Sequence, residues 1–266
     1  MTDSDNDTMW REIQREAQQD ALEEPALASF LYSVILHHPT LEDALSFHLA
    51  SKLGSSTVPE LTLRDLICEA FAGDPQIGEA IRADINAVFT RDPACTKYSI
   101  PFLFFKGFHA IQSYRAANYY WERDRKPLAL YLQSRIAETF AVDIHPAASI
   151  GRGLLFDHAT GIVIGETAVV EDDVSMLHEV TLGGTGKETG DRHPKVRRGV
   201  LIGAGAKILG NVEIGQGAKI GAGSVVLTPI PPHCTAVGVP ARVVGHPRSD
   251  EPALSMDHEI SGEENE

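Results

Sequence analysis

The sequence predicts an α+β protein: an α-helical N-terminal domain followed by a parallel β-solenoid. Three observations carry that expectation. Before residue 140, apolar residues recur at the three- and four-residue spacing of helices. From Ile144 they recur every sixth residue, which suits neither an α-helix of about 3.6 residues per turn nor a hairpin strand. That second rhythm then stops for thirteen residues, "GGTGKETGDRHPK" (183–195), without one aliphatic side chain. The expected domains are 1–140 (helical, for assembly), 141–246 (solenoid) and a flexible acidic tail, 247–266.

The helical half is punctuated by its own start signals. In "EPALASFLYSVILHH", Pro25 stands where a first turn tolerates it, and Leu27, Phe30, Leu31, Val34 and Ile35 form one stripe. "TLEDALSFHLA" opens with Thr40 and Asp43 in capping-box spacing, and "TLRDLICEAF" repeats the pattern with Thr62 and Asp65. "DPQIGEAIRADINAVF" begins with an aspartate cap and a proline. Two more helices are expected near 103–122 and 127–140. The polar break "TRDPACTKYS" contains Asp92, which alone reads as turn chemistry.

The solenoid half shows three frames: Ile144, Ile150, Phe156, Ile162; then Ile164, Val170, Met176, Leu182; then Val196, Ile202, Ile208, Ile214, Ile220, Val226. Small or β-branched residues stand four places after most of them, including Ala148, Thr160, Val180, Ala206 and Ser224. Six residues per side and eighteen per coil describe a triangular prism with the aliphatic residues inside. A two-residue slip separates the first two frames and the polar insert separates the last two.

Composition narrows the function. The formal charge of −14 is concentrated at the ends: residues 1–24 and 247–266 each carry −6, leaving −2 for the body. No basic stripe suits nucleic acid. "IPFLFFKGF" is too short to span a bilayer, and the acidic N-terminus lacks the apolar core of a signal peptide. Cys68, Cys95 and Cys234 are scattered, as expected of reduced thiols in a cytoplasmic protein.

With this hexad pattern the chain resembles the hexapeptide-repeat acyltransferases. "RDPA", "KGFHA", "DIHPAA", "DHATG", "TLGGTG" and "DRHPK", all in order, make it similar to the serine O-acetyltransferase family across residues 10–247. The resemblance implies a left-handed β-helix, a homotrimer or a hexamer built as a dimer of trimers, and acetyl-CoA as cosubstrate between neighbouring coils. It implies transfer of acetyl to L-serine, the first step of cysteine biosynthesis, with L-cysteine as feedback inhibitor. It also implies no metal.

The chemistry asks for a base near a hydroxyl, because serine is a poor nucleophile at neutral pH. His158 is the candidate base, and Asp143, fifteen residues earlier and close to one coil away, is the candidate orienting carboxylate. Arg192 suits the substrate carboxylate by a bidentate fork, Asp92 and Asp157 suit its ammonium, and His193 adds a hydrogen bond. Gly184, Ala204 and Ala222 are small enough to let a pantetheine arm approach the backbone, and Lys219 is placed to meet its phosphates.

Two other readings stay open on the residues. His158 and His178 are twenty apart and should stack on one face, where a third histidine from a neighbouring subunit would complete a zinc site like that of solenoid carbonic anhydrases. A solenoid scaffold without catalysis is the other. Relatives that bind O-acetylserine sulfhydrylase do so, by the resemblance, through a C-terminal isoleucine. Here the last residue is Glu266 and the last aliphatic one is Ile260, so that complex is not expected in that mode.

Overall fold

The structure, a computed structural model, describes residues 7–186 and 189–260. The terminal acidic residues 261–266, on which the sulfhydrylase expectation rests, lie outside the described residues.

The helical domain runs through α1 (Thr8–Glu23), α2 (Ala28–Leu31), α3 (Leu41–Leu53), α4 (Glu60–Gly73), α5 (Pro75–Arg91), α6 (Ser99–Phe104), α7 (Lys106–Trp121) and α8 (Lys126–Phe140). Two caps are as expected. Thr40 Oγ1 accepts the Asp43 N–H at 3.2 Å, and the Asp74 carboxylate accepts the Gln76 N–H at 3.0 Å. Three features differ. The stretch from Pro25 is a 3₁₀ turn, α2 and a π turn (Tyr32–Leu36), and Leu27 is left outside the core. Helix α4 starts at Glu60, behind Pro59, so Thr62 is inside it rather than capping it. Phe105, in an extended conformation, divides the helix expected near 103–122 into α6 and α7.

The solenoid has three sheets in which almost every strand pairs in parallel with its counterpart one coil on. The first sheet holds β1 (Val142–Ile144), β4 (Ile162–Ile164), β7 (Thr181–Gly183), β10 (Lys207–Leu209) and β13 (Val225–Val226). The second holds β2 (Ser149–Ile150), β5 (Val169–Val170), β8 (Lys195–Val196) and β11 (Glu213–Ile214). The third holds β3 (Leu155–Phe156), β6 (Ser175–Met176), β9 (Leu201–Ile202), β12 (Lys219–Ile220) and β14 (Thr235–Gly238), closed by the antiparallel β15 (Ala241–Gly245). The hexad residues stack in register: Ile144 on Ile164, Leu182, Ile208 and Val226, and Phe156 on Met176, Ile202 and Ile220. Each aliphatic side chain removed from water contributes about 1.5–3 kcal/mol, and the column repeats that gain coil by coil.

Register locates the two breaks. Val170 pairs with Val196 and Leu182 with Ile208, an offset of 26, so the insert loops out and the ladder resumes unshifted. The two-residue slip belongs one place earlier than the frames suggest. Ile162 and Ile164 both point inward on β4, and the extra residues lie in the corner 157–161. Thr160 is therefore exposed, not interior, and Ala159 is buried in its stead.

A solenoid end must be covered. The helical domain does this at the first coil. Tyr114 Oη donates to Ala148 O, Asn118 Nδ2 to Pro146 O (2.8 Å), and Arg115 Nη2 to Gly151 O (2.9 Å). Asp84, fully buried, accepts from Arg115, Gln112 and the Leu154 N–H, at 2.6–2.9 Å. The tail is not free through residue 260. Helix α9 (Pro252–Ser255) rests on the third sheet, with Ser175 Oγ donating to Ala253 O (2.9 Å) and Ala253 N–H to Gly199 O (3.2 Å). Met256 packs on Val88, Cys95 and Leu155.

Candidate active site

Three sheets make three edges, and seven of the ten expected site residues fall on two of them; Asp143 and Lys219 lie on strands and Asp92 lies in the helical domain. The edge between the third and first sheets carries residues 157–161, 177–180, 203–206 and 221–224 on successive coils. His158, His178, Ala204 and Ala222 form one column there. Gly205 N–H donates to His178 O and Gly223 N–H to Ala204 O, at 2.9 and 2.8 Å. The His158 and His178 rings meet edge to face, centroids 5.9 Å apart, as their spacing predicts. His178 Nδ1 is buried without a hydrogen-bond partner among the described residues. No group of three or more His, Cys, Asp or Glu able to hold a metal ion occurs among the described residues.

The corner 157–161 is longer than its counterparts and is built to project. His158 and Ala159 both adopt left-handed backbone, φ 55° and 60°, which disfavours residues bearing a Cβ. The His158 side chain is 75% exposed, with its Nε2 3.8 Å from Asp157 Oδ2. Asp143 lies on β1, half-buried, and accepts a hydrogen bond from Gln133 Nε2 at 2.7 Å. Among the described residues no hydrogen bond joins Asp143 to His158; the carboxylate within ion-pair range of the imidazole is Asp157. Asp92 follows α5, and its carboxylate accepts the Ala94 N–H at 2.8 Å, the turn chemistry its sequence suggests. The adjoining Cys95 packs on Leu155, which puts this turn beside the strand leading into Asp157.

Arg192 and His193 sit on the edge between the first and second sheets, with Gly184, His145 and the turn 165–168. Arg192 Nη2 donates to Glu166 Oε2 at 2.6 Å, and that bond holds the Glu166 carboxyl below its ordinary value. His193 is buried. Its ring lies over Gly165, where a Cβ would overlap it, and its Nδ1 meets Thr167 Oγ1 at 2.9 Å. Burial and the Arg192 charge push the His193 pKa down, keeping the ring neutral at pH 7. His145, half-buried against Trp121, is lowered by burial too. Glu166, Thr167 and Gly165 were not singled out by sequence. Their signal is register, since Ile164 aligns with Leu182 and puts them beneath the insert.

One chain therefore separates what the sequence groups together. Asp157 and His158 occupy one edge of the prism; Arg192 and His193 occupy another. Gly184 is likewise apart from Ala204 and Ala222. Lys219 is buried on the third sheet, its Nζ donating to the Glu259 carbonyl of the folded-back tail. Burial lowers its pKa.

Comparison with known proteins decides the family. Residues 9–113 match the model for the N-terminal part of serine acetyltransferases, and residues 193–228 match the bacterial transferase hexapeptide repeat. The serine acetyltransferase of Salmonella typhimurium is 58% identical over 96% of this chain and 93% of its own. The chain belongs to the serine acetyltransferase family. Three solved structures extend the likeness to the fold. A serine acetyltransferase in complex with cysteine superposes with a TM-score of 0.93 at 57% identity, covering 95% of this chain and 98% of that one. The soybean enzyme complexed with serine gives 0.87 at 61%, covering 89% and 97%. The Brucella abortus enzyme in complex with coenzyme A gives 0.89 at 52%, covering 90% and 96%. No helix among the described residues is long and apolar enough to cross a membrane.

Proposed function

We infer that this chain transfers the acetyl group of acetyl-CoA to the hydroxyl of L-serine, giving O-acetyl-L-serine and CoA. The observation that carries this reading is the edge column of His158, His178, Ala204 and Ala222. It presents an exposed imidazole at the head of a track of small residues, in a chain 58% identical to a serine acetyltransferase. A thioester arm lying along Ala204 and Ala222 would bring its carbonyl toward the two histidines. Relatives solved with serine, with cysteine and with coenzyme A support all three as ligands here, cysteine as the inhibitor that takes the serine position.

In this mechanism neutral His158 removes the hydroxyl proton as the serine oxygen attacks the thioester carbonyl. The tetrahedral intermediate collapses, the C–S bond breaks, and His158 returns the proton to the departing thiolate. Asp157, and Asp143 if Gln133 releases it, are the carboxylates available to orient the imidazole and stabilise its cation. Asp92 and Asp157 take the substrate ammonium. Arg192 and His193 take its carboxylate, and they must come from a second chain, because their own edge faces away from His158. Trimerisation by edge-to-edge apposition supplies this arrangement, and a dimer of trimers through the helical domains is compatible with it.

The test is an acceptor panel of L-serine, homoserine, a galactoside and an amino sugar with acetyl-CoA, with and without L-cysteine. Only L-serine is expected to support rapid CoA release, and cysteine to suppress it. His158→Asn is expected to cost roughly two to four orders of magnitude in kcat, on the scale of lost general-base residues, with the fold retained. Near-wild-type turnover would remove His158 from the mechanism.

A further inference from the structure

The turn that presents His158 is strained; the neighbouring coil holds its ends, through Asp157 N–H to Met176 O (2.9 Å) and Glu179 N–H to Thr160 O (2.7 Å), and a second support comes from outside the solenoid. Two successive non-glycine residues, His158 and Ala159, hold positive φ, a state that persists only where the surroundings over-determine it. Besides the neighbouring coil, those surroundings include the first turn of α7. Helix α7 enters through extended Phe105 with no side-chain cap, and it meets the corner at once. Gly107 lies so close that a Cβ there would overlap the Phe156 carbonyl oxygen and stand 3.1 Å from the Ala159 Cβ. Its glycine identity serves close approach, since its own backbone is ordinary helix. One residue earlier, Lys106 Nζ donates to Thr160 Oγ1. Thr160 in turn donates its N–H to the His158 carbonyl at 2.8 Å. Ala159 is wholly buried between the helix and the coil, while the His158 side chain is left 75% exposed. The helix end thus grips Phe156, Ala159 and Thr160, on both sides of the histidine, without covering it.

We propose that Gly107 and Lys106 are positioning residues for His158: the head of α7 clamps the 157–161 turn and fixes the direction in which the imidazole projects. The inference rests on the reading of His158 as the base. It gives the helical domain a part in the chemistry beyond assembly.

Lys106→Met and Thr160→Val cut the clamp from either side without added bulk, and Lys106→Arg keeps a donor. Misplacing a base by a fraction of an ångström costs rate rather than affinity. In both cutting variants kcat is therefore expected to fall roughly ten- to a hundredfold, while KM for L-serine and for acetyl-CoA stays within about twofold. Lys106→Arg is expected to recover most of the rate. The double variant is expected to fall no further than the worse single one, because both remove the same bond. Gly107→Ala is expected to lose more; circular dichroism and particle size establish whether it folds, and the Lys106 and Thr160 variants carry the test if it does not. His158→Asn runs alongside. If it is inactive while Lys106→Met and Thr160→Val keep wild-type kcat, the inference is wrong and the base assignment stands. If KM rises with kcat unchanged, Lys106 binds substrate and positions nothing. A fully active His158→Asn overturns the base assignment itself.

Discussion

His48 and His109 lie within the helical core, 2% and 1% exposed, with ring centroids 5.1 Å apart. Each gives one ring nitrogen to a backbone carbonyl, Leu103 and Phe102 respectively. Burial, with the nearby Lys52 charge second, drops the His48 pKa to about 4; His109 is also pushed well down, by burial first and then by His48. Both fold as neutral rings. Below the ordinary value of about 6.5 the unfolded chain binds protons that the folded chain refuses. Stability is therefore complete above that pH and is lost as pH falls toward 4. For His48 alone the loss across that window is on the order of 3 kcal/mol. His48→Phe keeps a ring stacked near Phe102 and removes one titration. The denaturation midpoint of that variant is expected to fall less between pH 7 and pH 5 than that of the wild-type chain; an unchanged difference would show that His48 does not carry the acid sensitivity. At this scale a sequence offers candidates most readily where chemistry calls for a rare residue type in a recognisable string, as with His158, Asp157, Arg192 and His193. It misses Glu166 and Thr167, which are ordinary polar residues on a turn until the insert folds back over them.

The hexad elements were legible because a period of six leaves few alternatives, and the columns through Ile164, Leu182 and Ile208 follow it without error. What periodicity could not do was place the extra residues of the first coil. Ile162 and Ile164 are both inward-facing, so either reads as the hexad position, and only strand pairing shows that the lengthening belongs to the His158 corner. The tail was unreadable for another reason. Its acidic composition suggests solvation, while the docking of α9 depends on the few small or apolar residues, Ala253 and Met256, meeting a groove made by distant segments. The insert yields the element-scale prediction. Gly186 and Gly190, at φ 90° and 85°, turn the chain outward, and a Cβ at either would meet nothing within 4 Å among the described residues. The ladder on both sides keeps its register across the offset of 26. Replacing residues 185–191 with a short glycine linker is therefore expected to shift Tm by only a few degrees. The same change removes the return path that seats Arg192 against Glu166, so KM for L-serine is expected to rise at least tenfold, with KM for acetyl-CoA moving far less. A collapse in Tm with serine affinity preserved would contradict this division between ladder and loop.

At the scale of the whole molecule, the prism's two separated edges make a sharper demand than any single residue. Asp157 and His158 project from one edge, Arg192 and His193 from another, and no bending of a solenoid whose coils are hydrogen-bonded throughout brings them together. If each site is assembled from one chain's His158 edge and its neighbour's Arg192 edge, defects in the two edges must complement. Chains carrying His158→Asn and chains carrying Arg192→Ala are each expected to be nearly inactive alone. Dissociated, mixed in equal amounts and reassembled, they form interfaces at random. About one quarter of the interfaces then pair an intact histidine edge with an intact arginine edge, as cyclic head-to-tail assembly requires. Recovered activity should approach that fraction of the wild-type value, and it should appear only after subunit exchange. A site contained within one chain would give no recovery at any ratio, because every chain in the mixture carries one lesion. The titration against mixing ratio separates the two cases further: the shared site predicts a maximum at equal amounts and a symmetrical decline to either side.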